Sequence, residues 1–170
     1  MSDRDRRDLP LIADGRPGSW CTRALVESIG NPVSASAKKP IPVADELSRP
    51  FWDAAKERRL EIQRCGSCGY YNHPPRPYCD ACLVQELTFV PVSGRATVYT
   101  FTVMHQRDVA GFEDEAPFIN IVVELAEQAQ LLMVSNLPIA DRSKVSIGAE
   151  VEVYFEERGE GVVIPQFRII

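Results

Sequence analysis

Residues 63–82 read Gln63-Arg64-Cys65-Gly66-Ser67-Cys68-Gly69-Tyr70-Tyr71-Asn72-His73-Pro74-Pro75-Arg76-Pro77-Tyr78-Cys79-Asp80-Ala81-Cys82. Two Cys-x-x-Cys pairs separated by a short stiff segment bring four thiolates to the corners of a tetrahedron, the geometry zinc takes in closed structural sites. Paired disulfides or scattered free thiols are the competing readings, and twice-repeated metal spacing in so short a span argues against both. Iron in a rubredoxin-like site would use the same ligands. Gly66 and Gly69 suit a knuckle whose backbone amides turn toward sulfur. The His73–Pro77 segment between the pairs is turn-forming and has little conformational freedom.

Upstream of the cysteines, Ser48 before Arg49-Pro50-Phe51-Trp52 predicts a helix start, with a capping hydroxyl and a proline in the first turn. The helix is expected to run through Arg58 with Phe51, Trp52 and Ala55 as its apolar face. Leu60, Ile62 and Arg64 then alternate with Glu61 and Gln63, a short strand delivering the chain to Cys65. Such a helix-plus-knuckle unit is too small to stand alone, so metal is expected to supply much of its folding free energy.

Downstream of Leu87 the pattern is β. Thr97 to Val103 is β-branched and aromatic, with Tyr99, Phe101 and Val103 expected on one face. Phe118 to Leu125, Gln130 to Leu137, Glu150 to Phe155 and Val162 to Phe167 complete the set. In the fourth strand Val151, Val153 and Phe155 are expected inward, and Glu150, Glu152 and Tyr154 outward. Five strands with one longer insertion predict a small closed barrel of the OB type, with Gly94 and Gly148 at its corners. A β-sandwich fits the same periodicity. The expected fold class is therefore mainly β: an N-terminal helix and zinc ribbon over 43–88, then a five-stranded barrel over 89–170.

Residues 1–42 differ. They carry a charged opening, scattered Pro and Gly, one short apolar run at Ala24-Leu25-Val26, and the lone Cys21 with no base near it. A loosely ordered or disordered extension is the expectation there. Cys21 reads as an unremarkable thiol.

The 170 residues carry a formal charge of −5. Seven Lys/Arg against five Asp/Glu give +2 for residues 1–42, so the remainder carries −7. An acidic globular part is a poor match for a phosphate backbone, which argues against nucleic acid. No stretch of about 18 apolar residues predicts a membrane span, and the charged opening has no secretory h-region. Metal-spaced cysteines in such a chain point to a reducing, cytoplasmic setting.

Several motifs in fixed order now converge. Arg49-Pro50-Phe51-Trp52, the paired knuckles around His73-Pro74-Pro75-Arg76-Pro77, the stretch Val92-Ser93-Gly94-Arg95-Ala96-Thr97-Val98-Tyr99-Thr100-Phe101 and the ending Glu150-Val151-x-Val153-x-Phe155 resemble the domain-of-unknown-function 35 family. The resemblance covers roughly residues 43–170. It implies a rubredoxin-like zinc ribbon joined to an OB-fold, with Cys65, Cys68, Cys79 and Cys82 as ligands of one structural zinc. It further implies association with a thiolase-like enzyme acting on acyl-CoA, for example in retro-aldol cleavage of a steroid side-chain CoA ester, in acyl transfer or in 3-hydroxy-3-methylglutaryl-CoA chemistry. No catalytic residue carries over from it.

Other candidates are weighed on their residues. His73 is expected to be a turn residue, because four thiolates already close the site. His105 would serve as acid or base only in a cleft, and no nucleophile or paired carboxylate lies near it in sequence. The acids Glu113-Asp114-Glu115 read as a solvated face or a contact for a basic partner. Arg76, fixed between prolines, is a candidate to pair with a carboxylate or a CoA phosphate. Phe112, in the long Gln106–Pro117 loop, is a candidate docking aromatic.

Three functions follow: a zinc-bearing accessory subunit of a thiolase-like enzyme in a hetero-oligomer, with acyl-CoA as its context; a single-stranded nucleic-acid binder stacking bases on Tyr70, Tyr71 and Tyr99; or an iron redox protein. The first has the most residues behind it.

Overall fold

The computed structural model describes residues 39–107, 111–112, 115–159 and 161–170. Cys21, the Ala24-Leu25-Val26 run, Glu113 and Asp114 lie outside the described residues.

The helix α1 spans Arg49–Lys56. Its cap is built one turn earlier than expected. The Ser48 hydroxyl makes no capping bond to the helix. Instead Asp45 and Ser48 bond reciprocally: Ser48 N–H donates to Asp45 Oδ1 at 2.7 Å, and Asp45 N–H donates to Ser48 Oγ at 3.1 Å. The Arg49 amide also reaches the Asp45 carbonyl at 2.9 Å. Asp45 thus heads a capping box whose fourth member is Ser48.

The helix stops before Arg58, which takes a left-handed φ of 59°. The Arg58 and Arg59 amides turn back to the Ala55 and Ala54 carbonyls, a Schellman closure with arginine where glycine is usual. Phe51, Ala54 and Ala55 are buried, while Trp52 is only partly so.

Three strands form the first sheet, in order β2-β1-β3: β1 Glu61–Cys65, β2 Tyr71–Asn72 and β3 Leu87–Pro91, all antiparallel. The strands β2 and β3 were not distinguished from sequence. In β1 the expected faces are mixed. Leu60 and Ile62 are buried, but Arg64 is exposed and Gln63 is buried at 5%.

Five strands form the second sheet, in order β6-β5-β4-β7-β8. They are β4 Arg95–Met104, β5 Phe118–Leu125, β6 Leu132–Leu137, β7 Glu150–Glu157 and β8 Val163–Ile169. A short 3-10 helix, Ile139–Ser143, fills the longer connection between β6 and β7. The strand β5 alternates without exception: Ile119, Ile121, Val123 and Leu125 are buried and the residues between them are not. Each such side chain contributes about 1.5–3 kcal/mol on burial.

The strand β4 departs from the expected face. Its register with β5 shifts between Val98 and Thr100, leaving Tyr99 as a bulge residue. Ala96 and Val98 point inward before the bulge, and Phe101 and Val103 are partly buried after it. Tyr99 is 46% exposed and does not share their face.

Gly94 and Gly148 turn barrel corners with φ of 73° and 84°. At Gly94 a Cβ would lie 2.4 Å from Val153 Cγ1, so only glycine fits there.

The edge strands β6 and β8 meet across a seam bridged by side chain. Ser135 Oγ donates to Gln166 Oε1 at 2.7 Å, and the Asn136 amide donates to the same oxygen at 2.9 Å. Both Ser135 and Gln166 are buried. The order of strands and this closure are those of an OB barrel.

One hydrophobic core serves helix, ribbon and barrel. Phe51, Leu60 and Ile62 belong to the same buried cluster as Val98, Ile119, Ile121, Val123, Val151 and Phe167.

Candidate metal centre

The two cysteine pairs fold as two copies of one turn. The Cys65 amide donates to the Tyr70 carbonyl and the Gly69 amide returns to the Cys65 carbonyl, both at 2.9 Å. The second turn repeats this: Cys79 N–H to Val84 O and Leu83 N–H to Cys79 O, again both at 2.9 Å. The residue after each second cysteine must then be left-handed. Gly69 has φ 76° and Leu83 has φ 63°. Gly66, expected to be needed, is not: it has no positive φ, and a Cβ there would make only ordinary contacts with Glu86.

The turns bring Cys65, Cys68, Cys79 and Cys82 together, with all four sulfurs within 4.8 Å of one another. Cys65 and Cys82 are 3.6 Å apart at sulfur, as are Cys68 and Cys79. A tetrahedron of sulfurs at about 2.3 Å from zinc has edges of about 3.8 Å, so the four fit the ion. Cys65 and Cys79 are buried while Cys68 and Cys82 are exposed, which sets the centre at the surface of the ribbon.

The thiols respond to their crowding. Burial raises the Cys79 thiol, but amides of Cys82 and Ala81 and thiols of Cys68 and Cys82 outweigh it and hold it down at about 6. For Cys82 the Val84 amide acts to lower the value, yet the neighbouring thiols and burial win and push it up to about 12. A cation arriving here displaces the protons the cluster retains.

Amide side chains, those of Gln63 and Asn72 buried and that of Gln128 partly so, brace the centre, and sequence reasoning missed them. Gln63 clasps the backbone of Arg76 on both sides: its Oε1 accepts from Arg76 N–H at 2.8 Å and its Nε2 donates to Arg76 O at 3.0 Å. Asn72, 1% exposed, accepts from the Asp80 amide at 2.9 Å and so ties β2 to the second turn. Gln128, in the β5–β6 turn, clasps the free edge of β2. It accepts from Tyr71 N–H at 2.8 Å and donates to Tyr71 O at 3.2 Å, joining ribbon to barrel.

The remaining predicted residues do not assemble around the metal. His73 packs its ring 5.7 Å from that of Phe51, and burial lowers its pKa to about 4. It is a packing residue of the inter-knuckle loop. Arg76 is exposed, with Asp80 Oδ2 3.9 Å away. His105 is exposed just beyond β4. Phe112 is half-buried rather than projecting, stacked 5.1 Å from Phe118 with Lys39 over its ring. Tyr71 is packed against the core rather than presented as a stacking platform. Among the described residues no helix is long and apolar enough to cross a membrane.

Four thiolates leave zinc no open coordination position. The centre can hold a fold and cannot bind substrate at the metal without losing a ligand.

Comparison with known proteins agrees with this architecture. Residues 52–88 match the ChsH2 rubredoxin-like zinc ribbon domain and residues 89–156 match the ChsH2 C-terminal OB-fold domain. A DUF35 domain-containing scaffold protein of Methanocaldococcus jannaschii is 32% identical over 70% of this chain and 86% of its own length. The 3-oxo-4,17-pregnadiene-20-carboxyl-CoA hydratase alpha subunit of Mycobacterium tuberculosis is 36% identical over 62% of this chain. The chain spans only 32% of that subunit, and 40% of a probable enoyl-CoA hydratase alpha subunit that it also matches. A solved Ltp2-ChsH2(DUF35) aldolase chain aligns with a TM-score of 0.67 at 33% identity, over 75% of this chain and 98% of that one. The chain belongs to the DUF35 family, and its ribbon is a zinc ribbon.

Proposed function

We propose that this chain is the zinc-bearing accessory subunit of a thiolase-like enzyme acting on acyl-CoA, in the cytoplasm, with the chemistry carried by the partner. The observation that carries the reading is the likeness to the DUF35 chain of the Ltp2-ChsH2 aldolase, which spans nearly all of that chain. The closed metal site supports it, because a staple of four thiolates fixes a docking scaffold rather than activating a ligand. The relatives that act on CoA esters supply the substrate class, and retro-aldol cleavage of a steroid side-chain CoA ester is the reaction nearest to them. Arg76 and His105 are exposed residues available to a partner or to CoA, and Phe112 is half-buried against Phe118.

The test is reconstitution with a thiolase-like protein from the same organism. The zinc-loaded chain should co-purify with it, show no turnover alone, and raise its acyl-CoA cleavage rate by at least about tenfold. A partner that cleaves equally fast without this chain would sink the proposal.

A further inference from the structure

The side-chain bridge that closes the β6–β8 seam continues into two charged residues, Glu156 and Arg158. Gln166 bridges Ser135 and Asn136 through its oxygen, and its Nε2 donates onward to Glu156 Oε2 at 3.3 Å. Arg158 Nη2 donates to the same carboxylate oxygen at 3.0 Å. The Arg158 side chain is only 10% exposed. Its guanidinium also lies over the Phe112 ring, 6.0 Å from the centroid, a contact that uses none of its N–H groups.

The Arg158 donors are incompletely used. Nε lies 3.0 Å from Glu156 Oε1 but is misaligned for a hydrogen bond and is buried without a partner. Among the described residues the guanidinium makes one aligned bond, to Glu156, out of the five N–H groups it carries.

This guanidinium lines a cleft of about 480 Å³ over the β6–β8 seam, and a smaller one beside it of about 230 Å³ that shares Asn136 and Gln166. The size is that of a small-molecule site. Its far wall is apolar: Phe118, Leu137, Pro138 and Ile139. Its charged groups are Lys39, Arg158, Glu115 and Glu156, which sum to zero, with Lys39 paired to Glu115. On this neutral lining a monoanion leaves one uncompensated negative charge and a dianion such as phosphate leaves two, so a monoanion with an apolar body suits the remaining Arg158 donors and the wall better.

We propose that the cleft over the β6–β8 seam binds an organic monocarboxylate, with its oxyanion on Arg158 and its apolar body against Phe118, Leu137 and Ile139. The site is separate from the zinc centre and independent of the accessory role.

Hexanoate, hexanol and inorganic phosphate can be titrated into the full zinc-loaded chain and followed by the NMR signals of the Arg158 side-chain N–H and the Ile139 methyls. Hexanoate should shift both sets and saturate. Hexanol and phosphate should each bind at least about tenfold more weakly, a difference of 1.4 kcal/mol. Arg158→Gln should weaken hexanoate by the same factor. Ile139→Trp, at a residue 48% exposed, should fill the apolar end and block binding while leaving the polar network and the fold in place. The proposal is overturned if hexanoate does not saturate, if hexanol or phosphate binds as well, or if Ile139→Trp leaves hexanoate binding unchanged.

Discussion

Leu83 and Gly69 occupy the same place in two copies of one turn, and only one of them is suited to it. A left-handed φ costs a non-glycine residue about 1–2 kcal/mol, partly offset in glycine by the entropy it loses on folding. Leu83 is 75% exposed, so it recovers little by packing. Leu83→Gly should therefore stabilise the zinc-loaded chain by about 0.5–1 kcal/mol in guanidinium unfolding. Gly69→Ala should destabilise it by at least as much, because its Cβ would also press on Arg64 at 3.2 Å. A loss on Leu83→Gly would mean that the leucine packs against something and is not merely strained. His73 gives a second residue-level expectation. Its folded value of about 4 lies below the unfolded 6.5, so the fold prefers the neutral ring. That preference contributes stability which is complete above pH 6.5 and is lost as the pH falls toward 4. Zinc release also follows acid, but it is common to both proteins when wild type is compared with His73→Phe. The difference in their stability should shrink the wild type's advantage, or enlarge its deficit, across that window, and a pH-independent difference would contradict it.

At the scale of elements, the sequence was most legible where the physics is local. The cysteine spacing specifies its ligand set within twenty residues, and β5 shows its face because every second residue is apolar. The face of β4 was misread because a bulge at Tyr99 depends on the register of a partner strand, which no single-strand period reveals. The helix cap was misplaced by one turn because Asp45 and Ser48 are both good caps, and only the path of the chain chooses between them. The amide clasps were invisible for the same kind of reason. Gln63 meets Arg76 13 residues away, Ser135 meets Gln166 31 residues away, and Gln128 meets Tyr71 57 residues away. Gln63→Ala should leave the Arg76 N–H and C=O without partners and cost about 1–3 kcal/mol. Because that loop separates the two knuckles, zinc transfer to a chelator should also be faster in the variant. Unchanged transfer would mean that the clasp braces the loop without bracing the metal.

At the scale of the molecule, a shared core and the Gln128 clasp make ribbon and barrel one scaffold, with the metal at its surface. The four thiolates, first legible as a metal site, acquire a narrower meaning in this setting. They hold the ribbon in shape, and the account assigns bond breaking to a partner. The most direct test is the kcat of the assembled complex on its acyl-CoA substrate, with zinc in this chain replaced by cobalt or cadmium. A structural metal predicts a kcat unchanged within about twofold, because neither ion touches substrate. A kcat that shifts by about tenfold or more with the identity of the metal, while the complex stays assembled, would contradict the account.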